Sequence, residues 1–282
     1  MNYESQWRLD LAQKIAPLYS AYPNVRAITV AGSVGRGWAD EWSDIELTVY
    51  WNAPPTDAER MAPIEKLGGS VLEYFPFEPD EWEESYLLGD VKMELNHYLV
   101  PTIEQCIQDV MEQFDPTVYK QLRLAEIQGS IPLYRGELVE QWRTHIADYP
   151  DELARRIIKG DIEFGGWNGV EMMFARGDLL LAYDLLVKVQ KQVMTVLLAL
   201  NRTYIGHPRG KWLQHFADGM QYKPARLAER MLYTLRAGSE EGVREMDGVI
   251  EETFALVEQQ FPEMDLTEAK RDARFRRARV TR

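Results

Sequence analysis

The 282-residue sequence contains a single cysteine, Cys106. One thiol excludes an intrachain disulfide and a cysteine-based zinc cluster, and this one reads as a buried small hydrophobe. Histidine is also scarce, and none of His97, His145, His207 and His215 falls in a His-Glu-x-x-His zinc spacing. No apolar run approaches the roughly 20 residues that span a bilayer. The N-terminus shows no basic segment followed by an apolar one. These gaps predict a reducing, cytoplasmic setting without a membrane partner. Basic residues are sparse in the first half. Up to Gly136 there are 10 against 22 acidic ones, a net of −12, whereas from Glu137 there are 22 against 23, a net of −1. A half so poor in Lys and Arg disfavours nucleic acid, because phosphate binding needs clustered cations. It suits divalent metals and cationic small molecules, and it equally suits plain solubility.

What is present is ordinary for a globular protein: 45% hydrophobic and 27% charged residues. The length predicts two domains with sizeable cores. In the first half, helical spacing over 4–21 precedes a β-branched run at 25–31. A glycine-rich turn spans Gly32 to Gly37, and residues 44–51 alternate as a second strand. A helix over 57–67 stops at Gly68-Gly69. Strand-like runs at 70–75, 85–89 and 91–100 follow, then a helix over 102–114. From about residue 137 the pattern is helix after helix, with 178–200 wide enough in its apolar face to be central. Shorter helices are expected at 137–147, 151–164, 223–236, 239–260 and 266–280. The pattern breaks within 115–137, at Asp115-Pro116 and Ser130-Ile131-Pro132. The expected fold class is α+β: a mixed-sheet domain over 1–130, then an all-α bundle over 131–282.

The chemistry concentrates in Gly32-Ser33-Val34-Gly35-Arg36-Gly37 and, with ten residues between Ser33 and Asp44, in Asp44-Ile45-Glu46. Residues i and i+2 of a strand share a face, so Asp44 and Glu46 project together while Ile45 faces the core. Two adjacent carboxylates repel unless neutralised, and Mg²⁺ prefers such oxygen ligands. The glycine turn lets backbone N–H groups approach an anion. A helix following that turn would add its positive dipole end. Each part alone also fits a plain turn or a solvated strand face; the combination outlines a phosphoryl-transfer site.

The combination resembles the signature of the nucleotidyltransferase superfamily with the DNA polymerase β-like fold. Ala31-Gly32-Ser33, the spacer 34–43 and Asp44-Ile45-Glu46-Leu47 carry it, over roughly residues 20–100. Gly-Ser-x-Gly-Arg-Gly and Ser43-Asp44 are similar to its small-molecule, aminoglycoside adenylyltransferase-like branch. The resemblance implies a third acid on a later strand. Glu94 fits, because Lys92, Glu94 and Asn96 share a face opposite Val91, Met93 and Leu95, although a surface pair with Lys92 also suits it. It further implies catalytic and metal roles for Asp44, Glu46 and Glu94, two Mg²⁺ ions, ATP as donor and a small-molecule acceptor. Gly32, Ser33, Arg36 and Ser43 would bind the nucleotide.

The second half more loosely resembles the helical domain of such enzymes and of DUF4037-type proteins, through Arg176-Gly177-Asp178, Leu200-Asn201-Arg202-Thr203-Tyr204 and Lys211-Trp212-Leu213. This implies Asn201, Tyr204 and Lys211 as nucleotide-binding, with the active site between the domains. Asn201 also suits a helix end, Tyr204 a core and Lys211 a solvated surface. Trp167 suits base stacking or helix packing. Asp178 suits an amine contact or an N-cap. His97 lies on the Met93 face and reads as core. The acidic run Glu78, Asp80, Glu81, Glu83, Glu84 reads as a solvated loop or a lure for a cationic substrate. The tail from Arg271 to Arg282, with six arginines, reads as a frayed final helix or a contact for an acidic partner. AMP transfer to a protein or tRNA, and a non-catalytic nucleotide-binding module, are the other functions open to this sequence.

Overall fold

The computed structural model describes residues 1–78, 81–207 and 210–276. It divides into two compact units: Met1–Asp115 with Tyr119–Asp148, and Pro116–Val118 with Tyr149–Arg282. The first begins with α1 (Tyr3–Ser20), β1 (Val25–Val30), α2 (Gly32–Arg36), β2 (Ile45–Trp51) and α3 (Asp57–Leu67). There follow β3 (Ser70–Glu78), β4 (Glu81–Leu88), β5 (Val91–Leu99), α4 (Val100–Glu112), α5 (Val118–Gly129), β6 (Ile131–Tyr134) and α6 (Gly136–His145). The strands form one mixed sheet in the order β3-β4-β5-β2-β1-β6. The β2–β5 pair is parallel and sets Ile45 beside Met93, Glu46 beside Glu94 and Leu47 beside Leu95; the other pairs are antiparallel.

Alternation decides which side is core. Ile45, Leu47, Val49 and Trp51 of β2 join Met93 and Leu95 of β5 in one buried cluster with Leu9, Ile15 and Tyr19 of α1 and Ile64 of α3. The opposite face carries Glu46 and Glu94 at one end and Tyr50 and Tyr98 further along. There Tyr50 meets Trp142 of α6 edge-on, with ring centroids 5.0 Å apart.

The second unit has helices and no strand among its described residues. It comprises α7 (Asp151–Asp161), a 3-10 turn (Trp167–Gly169), α8 (Val170–Arg176), α9 (Leu179–Leu200), α10 (Leu213–Gly219), α11 (Leu227–Ala237), α12 (Glu240–Gln260) and α13 (Thr267–Arg274). As its wide apolar face predicts, α9 is central: it packs against α7, α8, α11 and α12 and buries Leu185, Leu186, Val189, Val193, Val196, Leu197 and Leu200. The α+β architecture is thus a mixed-sheet unit and a helical one.

Four features differ from expectation. The glycine turn is a helix, α2, stopped by Gly37 in the left-handed region at φ 73°. The breaker-rich stretch 115–137 contains α5 and β6. Residues 131–148 belong to the first unit, because β6 pairs with β1, setting Val30 beside Ile131. Finally, the acidic run lies partly in strands. Glu81, Glu83 and Glu84 belong to β4, and Glu84 points into the core, where it is fully buried. It is sustained there by Arg60 of α3, whose Nε donates to its carboxylate at 2.8 Å, and by the His97 Nε2 at 2.6 Å. Trp51 Nε1–H donates to His97 Nδ1 at 3.0 Å, which fixes the neutral tautomer with its proton on Nε2. Asp80 and the arginines at 277, 279 and 282 lie outside the described residues.

Candidate metal centre

The carboxylates of Asp44, Glu46 and Glu94 converge: one oxygen from each lies within 4.8 Å of the other two, and all three residues are half-buried. Asp44 immediately precedes β2, Glu46 is its second residue, and the parallel register sets Glu94 alongside. Two chain segments outside the sheet support this arrangement.

The first is the start of α2. The Ala31 N–H donates to the Glu46 carbonyl at 2.9 Å, tying the end of β1 to β2. Gly32 then takes φ +58°, and a Cβ there would stand 2.2 Å from Glu46 Oε1. Only glycine lets the backbone turn flush against that carboxylate. Ser33 follows, 2% exposed, and its buried hydroxyl has no hydrogen-bond partner.

The second is the loop 37–44. The Ser43 hydroxyl donates to Asp40 Oδ1 at 2.8 Å and accepts from the Asp40 N–H at 3.0 Å. The Ser43 carbonyl accepts from Arg8 Nε at 2.8 Å, and the Ala39 carbonyl accepts from Asn2 at 2.8 Å. The first turns of α1 therefore clasp the loop that delivers Asp44. Ser43 acts here through the loop's own hydrogen bonds.

Charges surround the triad unevenly. The Lys92 ammonium contacts the Glu94 carboxylate. That hydrogen bond, with the nearby Glu94, Asp44 and Glu73 charges, raises its pKa above the usual lysine value against its partial burial. Arg36 donates to the Ala125 carbonyl of α5 at 2.8 Å. Burial lowers the guanidinium's pKa while Glu46 and Glu126 oppose the shift. On α5, Glu126 accepts a hydrogen bond from Thr48, two residues beyond Glu46 on the same face. Burial pushes the Glu126 carboxyl up, against the pull of Arg123 at 3.6 Å. Glu83, across β4, is pushed up as well, by burial and then by Glu81, Glu94 and Glu73.

The donor set suits a hard divalent cation: three carboxylate oxygens with no thiolate or imidazole among them. The space left by the missing Cβ of Gly32 is taken by the Glu46 carboxylate, which the turn thereby holds in place. Sequence reasoning found all three acids. Lys92 shares that face by the same i, i+2 spacing, and the pairing with Glu94 expected for a surface lysine is present as well.

The remaining expected residues lie in the second unit. The Asn201 side chain ties the end of α9 to the following chain: Nδ2 donates to the Leu197 and Tyr222 carbonyls at 2.7 and 2.8 Å, and Oδ1 accepts from the Gln221 and Tyr222 N–H groups at 2.7 and 2.9 Å. Tyr204 is buried, its ring 4.8 Å from that of Tyr149. Lys211 is exposed, its ammonium 4.7 Å from the Trp212 ring centroid. It lines a small pocket with Lys191, His207, Met194 and Phe216. Trp167 is buried and donates to Asp247 Oδ1 at 2.7 Å, which is helix packing. Asp178 occupies the N-cap of α9 without a side-chain capping bond. Cys106 is buried.

Residues 118–213 match the family model DUF4037, a domain of unknown function, in keeping with the DUF4037 resemblance read from the sequence. No curated protein matches the chain. Among solved structures, a nucleotidyltransferase-like protein from Exiguobacterium sibiricum 255-15 is similar over 93% of this chain and 86% of its own, at 12% identity and a TM-score of 0.34. No helix among the described residues is long and apolar enough to cross a membrane.

Proposed function

We propose that the protein is a Mg²⁺-dependent nucleotidyltransferase that moves a nucleoside monophosphate, AMP from ATP, onto a hydroxyl of a small molecule. The observation that carries this reading is the convergence of Asp44, Glu46 and Glu94 within 4.8 Å beside a glycine-led turn with an orphan serine hydroxyl. The Gly-Ser and Asp-x-Glu signature supports it from the sequence. Asp44 and Glu46 would hold Mg²⁺, with Glu94 as a third ligand or as the base that orients the attacking hydroxyl. Bound there, Mg²⁺ would neutralise charge on the reacting phosphate and on the departing pyrophosphate. The Ser33 hydroxyl and the backbone N–H groups of α2 would bind phosphate oxygens. In the reaction a bond forms between the acceptor oxygen and the α-phosphorus, the α–β phosphoanhydride bond breaks, pyrophosphate leaves and the hydroxyl proton passes to a base. Catalysis is positioning and electrostatics.

The test is thermal stability with ATP, CTP, GTP and UTP, each with and without Mg²⁺, on the wild type and on Asp44→Asn/Glu46→Gln. A ligand at 100 times its dissociation constant stabilises by about 2.7 kcal/mol. The expected result is a Mg²⁺-dependent shift with ATP that the double variant loses, followed by pyrophosphate release once an acceptor is supplied. No shift with any nucleotide, or a shift the variant keeps, would overturn the proposal.

A further inference from the structure

Lys92 stands at the edge of the candidate metal site. Its ammonium contacts the Glu94 carboxylate directly. It reaches the triad because it stands two residues before Glu94 on β5, on the same face of the sheet, and its side chain is 39% exposed against 27% for Glu94. An ammonium placed among carboxylates acts on two ligands with opposite sign. A bare divalent cation entering the triad meets a like charge at one of its ligands, and it must share Glu94 with that charge. A divalent cation arriving with a polyphosphate brings anionic oxygens that the same ammonium can bind as a point charge. The three flexible donors and four-carbon stem of lysine allow the swing from carboxylate to phosphate.

We propose that Lys92 is the specificity-determining residue of this site: it weakens binding of the free metal and strengthens binding of the metal–polyphosphate complex, so that the cation enters with its nucleotide. The inference rests on the reading of Asp44, Glu46 and Glu94 as a metal site, and adds to that reading the order in which ligands enter.

The test compares wild type, Lys92→Met and Lys92→Arg by calorimetric titration with two probes. Mn²⁺ alone reports the bare triad. Inorganic tripolyphosphate in excess Mg²⁺ reports the phosphate contact without depending on the base of the natural donor. Circular dichroism and melting curves establish that each variant folds. Lys92→Met is expected to bind Mn²⁺ about fivefold more tightly, since a like charge is gone, and Mg²⁺–tripolyphosphate about tenfold more weakly, since a charge-assisted contact is gone. Lys92→Arg, which keeps the charge, should stay close to wild type with both probes. The opposite signs matter, because a purely structural lysine would move both affinities the same way or leave both unchanged. Either of those results overturns the assignment of Lys92 and leaves the metal site standing. If neither wild type nor Lys92→Met binds Mn²⁺, and wild type does not bind Mg²⁺–tripolyphosphate either, the metal-site reading falls and the role of Lys92 falls with it.

Discussion

Glu46→Gln should stabilise the protein in the absence of metal. One oxygen of each acid in the triad lies within 4.8 Å of the others, and at that separation, with an effective dielectric of about 20, two carboxylates repel by about 3.5 kcal/mol. Glu46 faces two such neighbours. Its own attraction for Arg36 and the Lys92 ammonium on Glu94 oppose the repulsion, and the half-exposed position lets solvent and salt screen most of these effects. What remains is a gain of about 1 kcal/mol for the glutamine, or about 2–4 °C in the melting temperature of a domain this size. Calorimetry in EDTA at pH 7.5 and low salt measures it directly. The gain should shrink in 0.5 M salt, where screening is nearly complete over these distances. Adding Mg²⁺ should raise the wild type and leave the variant unmoved, so the two melting temperatures converge or change order. A metal-free Glu46→Gln protein less stable than wild type would refute the reasoning, because it would mean that the carboxylate is held by favourable contacts rather than strained by its neighbours.

Two further predictions concern charges beneath and beside the site. Arg60 and Glu84 are both essentially excluded from solvent, 1% and 0% exposed, with Arg60 also donating to the Phe75 and Glu83 carbonyls. Arg60→Met therefore strands a buried carboxylate and should cost about 3–5 kcal/mol in urea denaturation, whereas removing both partners together should cost less than the sum of the single changes; a single-variant loss below about 1 kcal/mol would show that the pair carries little of the first unit's stability. Burial pushes the Glu126 carboxyl up, so the folded protein keeps that proton to higher pH than the unfolded chain does. The stability this contributes is present at low pH and is lost as pH rises through the folded value. Glu126→Gln should thus be more stable than wild type at pH 7 and lose that advantage below about pH 4.3, the ordinary glutamate value; denaturation curves with the same difference at pH 4 and pH 7 would sink the argument.

The candidate centre was legible through the resemblance to the nucleotidyltransferase signature, which calls for a third acid, and strand periodicity only agrees with it. A period of two puts Asp44 and Glu46 on one face, and the same period puts Glu94 on the polar face of β5. The glycine at 32 and the spacing to Asp44 are local facts as well. What was not legible depends on partners distant in sequence. Glu84 sits in an acidic run that reads as solvated, and only Arg60, 24 residues earlier, and His97, 13 residues later, make its burial tolerable. β6 contains Pro132 and is short, so its pattern is weak, and it exists because the edge of β1 is open to pairing. Asn201 follows a long helix in a motif that suggests a ligand, yet both ends of its amide meet backbone groups.

Glu84 and Glu46 show what separates a structural acid from a candidate functional one in this sheet. Both are glutamates in alternating strands, and each has an arginine in its surroundings. Glu84 turns toward the core face, where Arg60 and His97 satisfy both of its oxygens and exclude water. Glu46 turns the other way and meets the oxygens of two more acids at a half-buried edge. In the first case the fold itself supplies the counter-charge, and the energy gained is stability. In the second the fold brings three acids together at a half-buried edge, with the Lys92 ammonium on Glu94 and Arg36 near Glu46 as counter-charges. Composition counts the two glutamates alike; the direction of the side chain and the charges it meets set one in the core and the other in the acidic cluster of the candidate centre.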